Sequence, residues 1–415
     1  MTFIIKTGLF ITMLSKRKLY LVVIGLLAFN LSVEAGSREQ AKRMHDRIAG
    51  VPPSAAVLNS MEADIASGDA ISAANTAMQN PAFYNVTLKN MITPWTNEEQ
   101  TVFAPLNDYT ATVVGIVRDE LDFRLILSDD ILYVGDNALG LPAYSNSNNS
   151  HYETMEQNGI DLSTALVQRT QSSVTGLPAE ATAGVMTTRA AAKAFFVAGT
   201  NRAMFRFTLL NYFCNDLEQM KDVTRPADRI RQDVSRSPGG DSRIFLNACV
   251  GCHAGMDPMA QAYAYYEYDY DSDNDPDAEN GSLVYNDVGM IDPDTGTRVQ
   301  KKYHINASNF KHGYQTPDDR WDNYWRNGPN ALLGWDTNGL GLPSGGSGAK
   351  SLGVELANTE AFAVCQVKKV FKTVCLRQPI DTDMTTFNNI VTSFKSNNYN
   401  LKQVFAETAD HCKGD

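Results

Sequence analysis

Residues 245–258 read FLNACVGCHAGMDP, and the run Cys249-Val-Gly-Cys252-His253 within them constrains the chain more than any other feature. Two cysteines three apart, with a histidine directly after the second, form the spacing of a c-type haem attachment site. The reason is geometric. On a helical turn, positions three and four apart share a face. Cys249 and Cys252 can each add a thiol across one haem vinyl group, and His253 then lies under the iron as its proximal ligand. Two rivals use similar residues. A thioredoxin-like dithiol wants a βαβ setting, and no buried-strand run precedes the motif. A zinc site needs a second Cys/His pair at ligand spacing, and Cys365 and Cys375 stand too far apart to supply one.

The beginning of the chain agrees with the haem reading. Lys16-Arg17-Lys18 precede an apolar run over residues 19–31, and Val33-Glu34-Ala35 closes it with a small-x-small site. This is the pattern of a secretory signal peptide over residues 1–35, cleaved after Ala35, and its apolar part is short for a membrane span. Met13 is an alternative start. Covalent haem attachment takes place outside the cytoplasmic membrane, so a periplasmic or secreted location is expected, with no stable membrane span after cleavage.

Removal of residues 1–35 takes away Lys6, Lys16, Arg17, Lys18 and Glu34, and the formal charge moves from −11 to −14. An acidic chain argues against nucleic acid and anionic membranes as partners. A periplasmic or extracellular redox partner is the one expected.

The periodicity predicts a mainly α fold: a multi-helical N-terminal region followed by a cytochrome c-like helical domain with long loops. The expected division is an N-terminal helical module at 36–130, a middle helical module at 131–240 and a haem domain at 241–415. Helices are predicted around 41–48, 54–65, 69–78, 81–91 and 106–123. His45 falls in the first and reads as a partly exposed or core-edge residue. His151, after the polar loop 145–150, reads as a surface residue. Residues 187–220 read as helical with a break at Gly199-Thr200-Asn201, where Thr200 or Asn201 would cap the next helix. Residues 226–237 read as a connecting helix. Tyr263, Tyr265, Tyr266, Tyr268 and Tyr270 read as haem-edge residues or as aromatic helix contacts. Trp321 and Trp325 share a helical face and read as core. Residues 283–349 read otherwise as loops and short strands, and 351–376, 381–395 and 401–411 as helices.

Asp271, Asp273, Asp275 and Asp277 alternate in the manner of a calcium loop. Pro276 stands where an EF-hand needs Gly, and Ser282 where it needs Glu, so a solvated acidic loop is the favoured reading and calcium the lesser one.

The run CVGCHAGMDPMAQAYAYYEYD resembles the C-terminal module of planctomycete-type cytochrome c-like proteins of unknown function, whose pattern is CxxCHxxxDPxGFALExxD. Met259-Ala260-Gln261 departs from that pattern. Upstream, Gly184-Val-Met-Thr-Thr and Ala198-Gly199-Thr200-Asn201-Arg202 resemble the family's GVLT and RTSPVxRG segments, with Arg202 in place of a proline. Residues 44–53 resemble its RLTGxPP element. The resemblance implies an exported, largely helical, haem-bearing protein and supplies no activity.

Four cysteines remain: Cys214, Cys365, Cys375 and Cys412. An even number in an exported chain predicts two disulfides, with three possible pairings. Cys365 and Cys375 are ten apart on one predicted helix, about 15 Å along its axis, and cannot bridge each other. Cys214 is expected with one of them and Cys412 with the other.

Haem c, one group held by Cys249 and Cys252 with His253 on the iron, is thus the expected cofactor. Met256 and Met259 are too close in sequence to reach the opposite face of the haem. Met290, in a loop after Gly289, leads for the distal ligand, with His304 and His312 as histidine options. Asp257-Pro258 is expected to turn the chain at the end of the haem-binding segment, and the second ring nitrogen of His253 to donate to a backbone carbonyl. The expected function is that of an exported monohaem c-type cytochrome in electron transfer. The alternatives are a haem peroxidase or oxygenase with an open distal site, and a secreted binding protein with a structural haem.

Overall fold

The computed structural model of the chain describes residues 35–197 and 199–414. The leader pattern lies almost wholly outside these residues. Three helices open the fold: α1 (Ser37–Ala49), α2 (Ala55–Ala66) and α3 (Ala70–Met78). Their starts follow from side chains. Ser54 Oγ accepts the Val57 N–H, and Asp69 accepts the Ser72 N–H, each satisfying one of the donors a helix start leaves free. Ala41, Met44 and Ile48 line the inner face of α1 at helical spacing.

The next long helix, α4 (Asp108–Arg118), is capped by Asn107 through the Thr110 N–H and is buried along almost its whole length. Gly115 is required there: a Cβ would lie 2.3 Å from the Tyr133 ring. Tyr133 belongs to β1 (Leu132–Gly135), which pairs antiparallel with β2 (Leu166–Arg169) in the register Leu132↔Arg169. Between them runs α5 (Ser150–Gln157). His151, at its start, is buried rather than at the surface. Its Nε2 accepts the Gly135 N–H at 2.9 Å, and its Nδ1 lies 2.7 Å from the Pro142 carbonyl.

The middle of the chain gives α6 (Arg189–Phe195) and α7 (Arg202–Tyr212). Asn201 precedes α7 at φ 58° but makes no capping bond. Its amide donates instead to the Tyr263 and Tyr266 carbonyls, at 2.7 and 2.9 Å. The connecting helix expected at 226–237 is not formed, and these residues run as turns and bends. The motif helix is α8 (Val250–Ala260).

Residues 262–270 leave the helical state after one 3-10 turn and become β3 (Tyr266–Asp269), paired antiparallel with β4 (Ser282–Tyr285). Alternating tyrosines favour a strand once neighbours supply a partner. Trp321 lies in β5 (Arg320–Asp322), paired antiparallel with β6 (Gly345–Ser347), and Trp325 in a 3-10 turn. Both are buried, as expected, but on no common helix. The last third closes with α9 (Gly348–Ala357), α10 (Glu360–Cys375), α11 (Met384–Ser396) and α12 (Leu401–Cys412). The break between α9 and α10, inside the single helix expected, is set by Thr359, which caps α10 through the Phe362 N–H.

The fold is mainly α, and its strands are short. One hydrophobic cluster runs from Ala41 to Ala409 and crosses the boundaries expected at 130 and 240. The two ends of the chain meet in it: α12 packs on α1 and α3, and Phe405 meets Phe83 edge-on with ring centroids 5.0 Å apart. Two disulfides join Cys214 to Cys365 and Cys375 to Cys412. Since α10 is continuous from Glu360 to Cys375, its two cysteines bridge outward, as their separation requires. Among the described residues no helix is long and apolar enough to cross a membrane.

Candidate functional site

The chain enters the motif through Asp241, which caps the turn at Ser242–Ile244 by accepting the Arg243 N–H. Residues Phe245–Cys249 then form a π-helical turn that passes directly into α8. Such turns widen a helix by one residue and occur often at functional sites. Cys249 stands at this junction and Cys252 one turn on, and both are free thiols, half-buried. Cys249 packs against a small apolar cluster of Ile230, Phe245, Val250 and Ala254. Cys252 Sγ lies 3.5 Å from the Leu217 carbonyl. Burial pushes the Cys252 thiol up, and Glu218 adds to the effect. An activated redox cysteine shows the opposite shift. Among the described residues the motif also follows no strand of a parallel sheet: the three named sheets are two-stranded and antiparallel. Both observations count against the dithiol reading. Among the described residues, no three His, Cys, Asp or Glu side chains converge as zinc would need.

α8 continues through Asp257 and Pro258 to Ala260, so this pair does not turn the chain. Its continuation places Asp257 one turn beyond His253 on the same face. The Asp257 Oδ1 lies 3.1 Å from His253 Nδ1. The second ring nitrogen therefore faces a carboxylate and not the backbone carbonyl expected. No protein partner is found for Nε2 among the described residues, and the His253 side chain is 20% exposed.

Asp257 itself is fully buried among cations. Arg202 grips it with two bonds, Nε to Oδ1 at 2.7 Å and Nη2 to Oδ2 at 2.8 Å. Arg231, also fully buried, places Nη2 3.5 Å from Oδ1. Asp233 pairs with the outer edge of Arg202, and Tyr303 lies under the Arg231 guanidinium at 5.0 Å. Burial opposes the charge on Asp257, yet Arg202 and Arg231 hold its carboxyl well below the ordinary range. The same pairing keeps Arg202 above its ordinary value against the cost of burial. Two guanidiniums and two carboxylates thus form a charge-balanced network behind His253.

The other candidates lie apart from this network. Met256 and Met259 point into the main core. Met290 is half exposed; its N–H bonds the Asp287 carbonyl, and no hydrogen bond joins residues 287–296 to α8 among the described residues. His304 is partly buried and His312 exposed. Tyr263, Tyr266 and Tyr268 are core residues: the Tyr266 ring stacks on Phe196, and the Tyr268 hydroxyl accepts from Arg189. In the acidic loop, Asp271 and Asp275 bond nearby N–H groups of their own turn. Arg202, Arg231 and Asp233 were not legible as site residues. The one available signal was the helical spacing of His253 and Asp257.

The surface around the two thiols is mixed: the Lys221 stem lies against Gly251 and its Nζ donates to the Asn247 carbonyl, and three apolar side chains nearby are exposed. Val223, Ile244 and Leu246 are 58%, 46% and 56% exposed. Val223 lies against the motif itself, since a Cβ on Gly251 would come within 3.1 Å of its Cγ1. Two free thiols one helical turn apart and an imidazole whose Nε2 has no protein partner among the described residues are the side chains a covalent haem would bond, and in kind they fit that group. Set against known proteins, the chain matches no family model, no curated protein and no solved structure.

Proposed function

We propose that this is an exported monohaem c-type cytochrome acting in electron transfer, related to the planctomycete-type cytochrome c-like proteins its motif resembles. Cys249 and Cys252 would hold the haem through thioethers, and His253 would ligate the iron through Nε2. When bound, the haem supplies a one-electron couple. The protein's part is to anchor it, to fix the His253 ring through Asp257 and to border it with Val223, Ile244 and Leu246. The single observation that carries the reading is the pair of free, half-buried thiols on the same surface turn as an imidazole whose Nδ1 is already engaged. Two disulfides elsewhere agree with a periplasmic or secreted location, where such bonds persist.

A second reading is favoured by one detail. A proximal histidine bonded to a carboxylate is more electron-donating than one bonded to a carbonyl, which suits a peroxidase or oxygenase with an open distal side. Met290 remains the distal ligand proposed under the first reading. Carbon monoxide binding to the reduced protein separates the two: ready binding supports the enzyme, and inertness supports the carrier.

The founding test is chemical. Protein made together with a haem-attachment system is expected to gain the mass of one haem and to give the pyridine haemochrome spectrum of a thioether-linked group. A colourless product with the mass of the bare chain overturns the proposal.

A further inference from the structure

We infer that Asp257, gripped by Arg202 and backed by Arg231, is a positioning residue that makes His253 a strong donor and sets the iron couple toward the oxidised state. The inference rests on the haem reading above and extends it to the property that decides which partners can exchange electrons.

The argument is one of geometry and charge. A ligating imidazole is tuned by the acceptor of its Nδ1–H, and a carboxylate acceptor raises its basicity more than a carbonyl does. Here the acceptor is a carboxylate 3.1 Å away, on the same helix and one turn on. Arg202 binds both oxygens of Asp257 and Arg231 stands beside Oδ1, so the carboxylate is held where it stands. The clamp therefore has two effects. It holds the acceptor carboxylate against Nδ1, and it fixes the plane in which the His253 ring can lie. A more basic, fixed imidazole donates more to ferric than to ferrous iron, and the couple shifts toward oxidation.

Through-space charge is the competing explanation, since loss of any carboxylate near the iron favours reduction. Asp233 distinguishes the two. It belongs to the same network through Arg202, yet its recorded bonds are to Arg202 and Thr200 and not to His253. Asp257→Asn and Asp233→Asn each remove one negative charge, and only the first changes the acceptor of Nδ1–H.

The test compares midpoint potentials of the haem-loaded proteins. Asp257→Asn is expected to favour the reduced form at least tenfold, about 59 mV for one electron, and Asp233→Asn several-fold less. Asp257→Glu is expected to recover part of the shift. Equal shifts in the two Asn variants, or none in Asp257→Asn, overturn the inference and leave the haem reading standing. Failure of the wild-type chain to take up haem overturns that reading instead. Should Asp257→Asn not fold, Arg202→Lys gives up the two-point grip and keeps the charge, and it is expected to move the potential in the same direction by less. Nitrogen-15 NMR of the wild-type apoprotein supplies an independent readout. Neutral His253 is expected with its proton on Nδ1, and a proton on Nε2 overturns the inference whatever the potentials show.

Discussion

Lys302 shows how one buried side chain sets a pH response. Its Nζ donates to the Phe196 carbonyl at 2.6 Å. Burial pulls its pKa down to about 8, with Glu267 only partly offsetting the loss. An unfolded lysine titrates near ~10.4, so between the two values the unfolded state holds more protons and stability rises with pH. Below about 8 the penalty is at its full size, up to about 3 kcal/mol. Lys302→Met is therefore expected to be more stable than wild type at pH 7, with the gap closing toward pH 10. Urea midpoints across that range check it, and a constant gap counts against it. Gly255 gives a steric prediction beside the site. A Cβ there would lie 2.0 Å from Trp325 Nε1, and that ring is fully buried. Gly255→Ala is expected to cost roughly 1–3 kcal/mol. Gly251→Ala meets the flexible Lys221 stem at 2.5 Å and should cost less. Thermal midpoints of the two variants rank them.

Among elements, α10 carries the most covalent connection. It is tied to the turn after α7 by Cys214–Cys365 and to the end of α12 by Cys375–Cys412. Their sequence separations are 151 and 37. A longer closed loop restrains the unfolded chain more, so each bridge is worth roughly 2–5 kcal/mol and the first more than the second. Cys214→Ala with Cys365→Ala is expected to lower the urea midpoint more than Cys375→Ala with Cys412→Ala does. The reverse order would place the bridges' effect in native contacts rather than in the unfolded chain. Helices with a one-sided apolar stripe and a polar cap, such as α2 and α12, were legible because both signals are local. The pairing of the four cysteines was half legible, since the length of α10 excludes one of three arrangements. What was lost depended on distant partners. The aromatic run 262–270 was read as haem-edge residues or helix contacts, but β4 claims Tyr266–Asp269 as a strand. Residues 226–237 carry alternating charges that read as a helix face, whereas in the fold they send Arg231 and Asp233 to Asp257 and Arg202. His151 looked like a surface residue because nothing near it in sequence announces the Gly135 N–H it accepts. The motif was fully visible, and the network behind it was not, because its members lie up to 55 residues apart.

For the whole molecule, the decisive point is where the motif lies relative to the core. In a small chain a covalent haem can be the centre about which everything condenses. Here the main cluster runs from Ala41 to Ala409 without Cys249, Cys252 or His253. Cys249 belongs to a separate minor cluster at the edge, beside exposed Ile244 and Leu246. The core that joins α1 to α12 lies apart from the motif, so under the proposed haem reading folding and haem attachment should be separable. Cys249→Ala with Cys252→Ala is accordingly expected to yield a colourless protein with wild-type helix content, near-UV circular dichroism and cooperative unfolding. Against wild-type apoprotein its midpoint should fall by only a few degrees, since two half-buried thiols contribute at most about 1–2 kcal/mol. Haem-loaded wild type should melt higher than either, because a group fixed to the native state alone stabilises it by linkage. A variant that binds hydrophobic dyes and lacks near-UV signal would be a molten state. That outcome would make the haem part of the core and would contradict a surface-mounted electron-transfer centre. Circular dichroism and calorimetry on the three proteins decide between the two.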